Sequence, residues 1–271
     1  MTTDAWHDLR AALDAAEGPV RFWLRDDDAV AVTPALERLD ALRAAAGAPL
    51  LLAAIPAGAT PALGGWVAER AGVTACQHGV AHRNHAGAGA RACELGGERD
   101  DAAVLAELLA GRAAMDAAFG PGGWHPLLVP PWNRIRPSLV GHLPAAGYAT
   151  LSTFAGAALP AVPNLERLDP GLDIIDWRGG RKGRDAPDLA RRLAGLVPGV
   201  GVTGVGILTH HLAHDAAAWN GLEAMLALLS AHPAARFAAP WRVPAAVDKP
   251  GDVVLEASGG AGSSMVRAGR S

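Results

Sequence analysis

The chain has 271 residues, half of them apolar and 19% charged, which is enough for one large α/β domain and excludes global disorder. Its formal net charge of -3 gives no general pull towards nucleic acid or anionic membrane, and the one local basic run is Arg178 to Arg184. Its two cysteines, Cys76 and Cys93, fit neither a disulfide framework nor a zinc knuckle, and no run of about 18 apolar residues offers a membrane span.

In chain order, Asp4 to Glu17 reads as an amphipathic helix with Trp6, Leu9 and Leu13 on one face, ended by Gly18-Pro19. Its first residues lack a basic segment followed by an apolar one, so a cytoplasmic protein is expected. Val20 to Leu24 is a first strand, and Asp26-Asp27-Asp28 follow it. Thr33-Pro34 is an N-cap with proline at the first helical position, opening a helix to about Ala46 that Gly47 stops. Pro49 to Ile55 is an unbroken apolar run, as expected of a strand covered on both faces. A helix over Pro61 to Ala71 and a strand over Val73 to Gln77 come next, the strand delivering His78.

Beyond a glycine-rich loop, Ala86 to Gly97, a long helix runs from Arg99 to Phe119. Leu127 to Val129 is a strand entering Pro130-Pro131-Trp132, and Pro137 to Ala146 is helical. Strands are predicted at Tyr148 to Ser152 and Asp173 to Trp177, a helix at Ala186 to Leu196, and a strand at Gly204 to Thr209 ending in His210-His211. A helix over Trp219 to Ser230 and a short strand at Arg236-Phe237 finish the pattern. Alternating strands and helices define an α/β single domain with a parallel sheet or barrel. It divides into an N-terminal helix at 1–19, the barrel at 20–245 and a disordered tail at 246–271.

Polar clusters recur just after the strands: Asp26 to Asp28, His78 to His82, Pro130 to Arg134, Asp176-Trp177 and His210-His211. In a barrel those ends share the catalytic face. His78 and His82 are four apart, so on a helical turn their imidazoles lie on one side and can share an ion. An aspartate from another strand end completes two imidazoles and one carboxylate, a facial set for Zn²⁺ or another divalent ion. A second carboxylate could serve as general base, and His210 or His211 as the acid. His85 extends the histidine cluster, either behind the site or on the surface.

These five segments in this order resemble the polysaccharide deacetylases, also called NodB-homology or carbohydrate esterase family 4 proteins. Leu24-Arg25-Asp26-Asp27-Asp28 is similar to the family's F-D-D-G, and His78 to His82 to its H-T-x-x-H. Val129-Pro130-Pro131-Trp132, Asp176-Trp177 and Leu208-Thr209-His210 match the remaining three motifs. The resemblance implies a distorted (β/α)7 barrel. It also implies removal of an acetyl group by metal-bound water, with zinc as the expected ion. Carried over, Asp26 is the base, His210 the acid, and Asp27, His78 and His82 the metal ligands. Pro131 and Trp132, with Asn133, Arg134 and Trp177, shape the substrate groove.

The three aspartates allow a second register, with Asp27 as base and Asp28 as ligand; the first is preferred because it puts Asp28 at the motif's glycine. His211 competes with His210 for the acid. Val129 stands where the motif has the arginine that orients the base, and Arg25 or Arg134 are the candidates to replace it. The expected substrate is a small molecule or carbohydrate, such as an acetylated sugar or sugar precursor, with no nucleic acid or membrane partner. Two other readings stand beside it: hydrolysis of another C–N bond in a cyclic amide or ureide, and a carbohydrate-binding barrel whose site has decayed.

Overall fold

The computed structural model describes residues 4–199, 201 and 203–241; the predicted tail lies outside them. Helix α1 (His7–Asp14) leads into strand β1 (Val20–Ala29), followed by α2 (Pro34–Ala46), β2 (Leu50–Ala54), α3 (Pro61–Ala68) and β3 (Val73–His78). Then come α4 (Asp101–Phe119), β4 (Trp124–Val129), α5 (Pro137–Val140) and the short strands β5 (Thr150–Leu151), β6 (Glu166–Arg167), β7 (Leu172–Asp173), β8 (Ile175–Asp176) and β9 (Lys182–Gly183). Helix α6 (Ala186–Leu196), β10 (Val205–Thr209), α7 (Ala216–Ala231) and β11 (Ala235–Phe237) complete the unit.

Local chemistry sets the helix ends as expected. The Thr33 and Thr60 hydroxyls accept the backbone N–H of Leu36 and Leu63, each ahead of a proline, and Gly47 closes α2 with a φ of 70°. Helix α1 is not a separate segment: Trp6, Leu9 and Leu13 are buried in the same core as Leu189 and Leu193 of α6. Helices α3 and α4 approach closely at Gly64, where a Cβ would stand 1.9 Å from the Ala118 carbonyl oxygen.

The main sheet is parallel throughout, in the order β6-β5-β4-β3-β2-β1-β10-β7, with β11 paired to the start of β1. Its two outer strands, β6 and β7, are joined by residues 168–171, which also bond to both flanks. The Leu168 N–H donates to Leu151, and the Gly171 N–H to Gly206. The sheet therefore curls into a distorted (β/α)7 barrel. Its interior is filled by Trp23, Leu51, Ala53, Cys76, Leu127, Val129 and Leu168, while Phe22, Leu24, Leu50 and Leu52 face the surrounding helices.

Two differences from the predicted elements matter. β1 does not stop at Leu24 but carries all three aspartates inside it, because β10 pairs it through Asp26 and β2 as far as Ala29. The predicted strand at Asp173 to Trp177 is two pieces, β7 in the barrel and β8, which forms an antiparallel hairpin with β9. β6 and β9 have no counterpart in the prediction, since strands of two residues carry no periodic signal.

Candidate metal and acyl-transfer site

Period two along β1 puts Trp23, Arg25 and Asp27 on the interior face and Asp26 on the face turned towards the helices. The alternation breaks at Asp28, whose φ is 73°, where the pairing of β1 with β2 also shifts register between Asp26 and Ala29. Such an irregularity re-aims a side chain. Consecutive carboxylates are thereby sent into three environments.

Asp28 meets the two histidines. Its Oδ1 lies 3.1 Å from His78 Nε2 and 3.2 Å from His82 Nε2, and one ligand atom from each residue falls within 4.8 Å of the others. The carboxylate grouped with His78 and His82 is that of Asp28, as in the second register, and not that of Asp27, as in the preferred one. The histidines do not share a helical turn either. His78 ends β3, and the chain turns sharply through Gly79 (φ 54°) to His82 (φ 55°), bringing the rings to 5.3 Å.

The donor set fits a divalent ion. His78 Nδ1 is 3.0 Å from the Val129 carbonyl oxygen, which can only accept, so Nδ1 carries a proton; Nε2 then donates to Asp28 when the ring is charged and offers its lone pair to an ion when it is neutral. Burial disfavours the Asp28 carboxylate, but the hydrogen bond from His78 and the imidazoles of His78, His210 and His82 bring its pKa to about 2. Burial likewise opposes a charged His78, yet Asp27 and Asp28 hold its pKa above the ordinary histidine value. A cavity that favours a proton there favours a cation.

Asp27 lies 2% exposed on the interior side and accepts two bonds of 2.9 Å from Arg25, Nε to Oδ1 and Nη2 to Oδ2. The remaining Arg25 donors reach Ser152 Oγ (2.8 Å), the Thr153 carbonyl (2.8 Å) and Asn133 Oδ1 (2.6 Å). All the guanidinium N–H groups of this buried arginine are thus used, and its fork fixes the Asp27 carboxylate plane. Of the two candidate arginines, Arg25 is the one that reaches Asp27, while Arg134 donates to the Ala92 carbonyl. His210 Nε2 is 3.9 Å from Asp27 Oδ2, and the His210 ring packs edge-on against Trp177 at 4.8 Å.

Asp26, expected as the base, is fully buried away from the cavity. It accepts from Thr209 Oγ1 (2.6 Å), from the His211 backbone N–H (2.9 Å) and from the His211 ring. Burial alone would raise the Asp26 pKa, but His211 and Thr209 hold it down. The pair also engages His211: its Nδ1 is occupied and its side chain is 1% exposed. The adjacent His210 faces the cavity.

That cavity has a volume of about 410 Å³ and is lined by Asp27, Asp28, His78, His82, His210, Trp132, Asn133, Arg134 and Trp177 among others. Trp132 packs on the His82 ring at 4.4 Å. Trp132 and Asn133 both take left-handed backbone conformations, φ 56° and 57°, which turns Asn133 back onto Arg25. Pro131 does not line the cavity; it is buried against Gly79, where a Cβ would come within 2.5 Å of its ring. His85 does not line it either, and its backbone N–H donates to Cys93.

Two residues that the sequence analysis passed over are essential to this geometry. Glu94, 1% exposed, accepts the backbone N–H groups of Val80, Ala81 and Arg83 at 2.9, 2.8 and 3.1 Å, and so clamps the turn that presents His82. Asp173 lines the cavity and accepts from the Trp177 indole at 2.8 Å, whereas Asp176 turns to Arg184 at 3.5 Å. Asp173 lies one helical-turn spacing before Trp177 in D-I-I-D-W, a signal that the choice of the adjacent Asp-Trp pair obscured.

No protein-family model and no curated protein sequence matches the chain. Solved structures do, and they share the fold of the family 4 carbohydrate esterases. A family 4 carbohydrate esterase from Streptomyces lividans, in complex with acetate, is 17% identical with a TM-score of 0.54, covering 83% of this chain and 95% of its own. A family 4 acetyl xylan esterase from Clostridium thermocellum, holding a cobalt ion, is 13% identical with a TM-score of 0.53 and coverages of 80% and 87%. A family 4 pseudoenzyme from Bacillus anthracis is 12% identical with a TM-score of 0.51, covering 78% of this chain and 60% of its own. No helix among the described residues is long and apolar enough to cross a membrane.

Proposed function

We propose that this chain is a divergent polysaccharide-deacetylase-type hydrolase that removes an acetyl or other acyl group from a small N-acylated substrate, with zinc as its ion. The observation that carries this is one cavity holding the Asp28-His78-His82 ligand set beside a clamped carboxylate, Asp27, and an inward histidine, His210. A divalent ion at those ligands supplies an acidified water and positive charge for the acyl oxygen.

The chain's own groups then divide the proton work. Asp27, held in one orientation by Arg25, takes the proton of the attacking water as its oxygen bonds to the acyl carbon. His210 gives a proton to the departing nitrogen as the C–N bond breaks, leaving a carboxylic acid and an amine. Trp132 and Trp177 wall the cavity and exclude water around the acyl group. A cavity of about 410 Å³ suits a substrate of sugar size. Arg25 at Asp27 supports an active enzyme over a decayed barrel, and the esterases holding acetate and cobalt carry the same fold.

The test is a metal determination on the purified protein together with a hydrolysis panel of acetylated amino sugars, cyclic amides and ureides. One ion per chain, with deacetylation abolished by chelation and restored by zinc, is expected. Turnover of the cyclic amides or ureides alone would replace the acyl reading with the other C–N chemistry. Absence of both metal and turnover would overturn the proposal.

A further inference from the structure

The basic run noted in the sequence is exposed from Arg178 to Lys182, yet it borders the cavity. Arg178 and Arg181, from the hairpin between β8 and β9, line the cavity, and Arg91 and Arg134 join them from two other loops. Arg184 is spent on structure, donating to the Asp173 carbonyl at 2.9 Å and to Asp188 at 3.0 Å. The cavity arginines differ. Arg134 is tied to the Ala92 carbonyl at 2.7 Å, and no ion pair joins any of the four to a described carboxylate.

The acids of the cavity are already engaged. Asp27 is held by Arg25, Asp28 lies between two histidines, and Asp173 accepts from the Trp177 indole and the Ile175 N–H. Burial first, and then the nearby Arg91 and Arg178, lower the Arg134 pKa. Arg181 lies 5.4 Å over the Trp177 ring, at the wall that also packs against His210. Four arginines converge on one concave mouth above a buried catalytic floor, an arrangement that raises the local concentration of anions and fixes them by hydrogen-bonded forks.

We infer that the substrate is anionic: its acyl group sits at Asp27 and His210 while a phosphate or carboxylate on the same molecule is received by Arg91, Arg134, Arg178 and Arg181. The acyl half of this statement rests on the function proposed above; the anion receptor does not. A concave site of about 410 Å³ favours a small molecule with one such group over a nucleic acid or a membrane surface.

The test compares kcat/KM for N-acetylglucosamine, its 6-phosphate and N-acetylmuramic acid, using the metal-loaded enzyme and an Arg178→Gln, Arg181→Gln variant. Both residues are exposed, so folding is spared. An Arg191→Gln, Arg192→Gln variant on α6 removes the same charge away from the cavity. Expected are a charged-over-neutral preference of about tenfold or more, its loss in the first variant, and its retention in the second. The phosphate and carboxylate arms tell which anion is taken. Equal rates on neutral and charged substrates, or a preference that survives at Arg178 and Arg181, would overturn the inference. If nothing is hydrolysed, the deacylase reading fails and the receptor is read separately by titrating inorganic phosphate and acetate. Binding of either that weakens about tenfold in the first variant alone upholds the receptor, and no difference overturns it.

Discussion

Replacing each of Asp26, Asp27 and Asp28 by Asn should produce three different failures, because the structure gives each carboxylate a different partner. Asp26 is fully buried and ion-paired with His211, so neutralising it leaves an imidazole without its counter-charge. Removing one member of a buried pair costs about 3–5 kcal/mol, and Asn keeps an acceptor for Thr209 Oγ1, so the lower end applies. For a domain of this size about 1 kcal/mol moves Tm by about 2–4 °C, giving a fall of about 6–12 °C. Its metal content should stay at wild-type level. Asp28→Asn should lower metal affinity by more than about 100-fold, since it removes one of the three proposed ligands, and should lower the Tm of the metal-free protein less than Asp26→Asn does, because Asp28 is only partly buried. Asp27→Asn should keep the ion and lose about 10²–10⁴-fold in kcat. Metal stoichiometry, thermal melting and acyl hydrolysis on the same three preparations separate the outcomes. An Asp26→Asn protein with unchanged Tm and no metal, or an Asp28→Asn protein with full metal affinity, would refute the assignment.

Arg25→Met should lower kcat by about 10²-fold or more and lower Tm, because it leaves Asp27 buried without its fork; wild-type kcat would refute Arg25 as the residue that positions Asp27. Glu94→Ala should loosen the turn before His82 and weaken metal binding about 10–100-fold, read by competition with a chromogenic chelator. His210→Asn should keep the ion and lose about 10²–10⁴-fold in kcat, while His211→Asn should chiefly lower Tm. Gly64→Ala should destabilise by about 1–3 kcal/mol in a denaturant melt, since its Cβ would overlap the Ala118 carbonyl at 1.9 Å.

Much of the site could be read in one dimension. His78, His82 and His210 sit at strand ends where the alternation of apolar runs and polar clusters puts them, and the cavity gathers all three. The pairing of Arg25 with Asp27 was within reach of the same reasoning, since residues two apart in a strand share a face. Alternation also sets Asp26 on the opposite face, against the register that places it as base. Glu94 was not legible, because its partners are backbone N–H groups of a loop that no side-chain pattern announces.

What the sequence determined by itself is the set of elements and the end of the sheet where the chemistry gathers. Apolar periodicity, proline and glycine punctuation and strand-end polarity are properties of neighbouring residues. What only the tertiary structure decided is which partner each aspartate meets. Three identical side chains in a row differ through a left-handed turn at Asp28, an arginine reaching Asp27 from the interior side, and a histidine meeting Asp26 from the outer one. Those partners come from positions up to 185 residues apart, as for His211 and Asp26, and only the curl of the sheet brings them together.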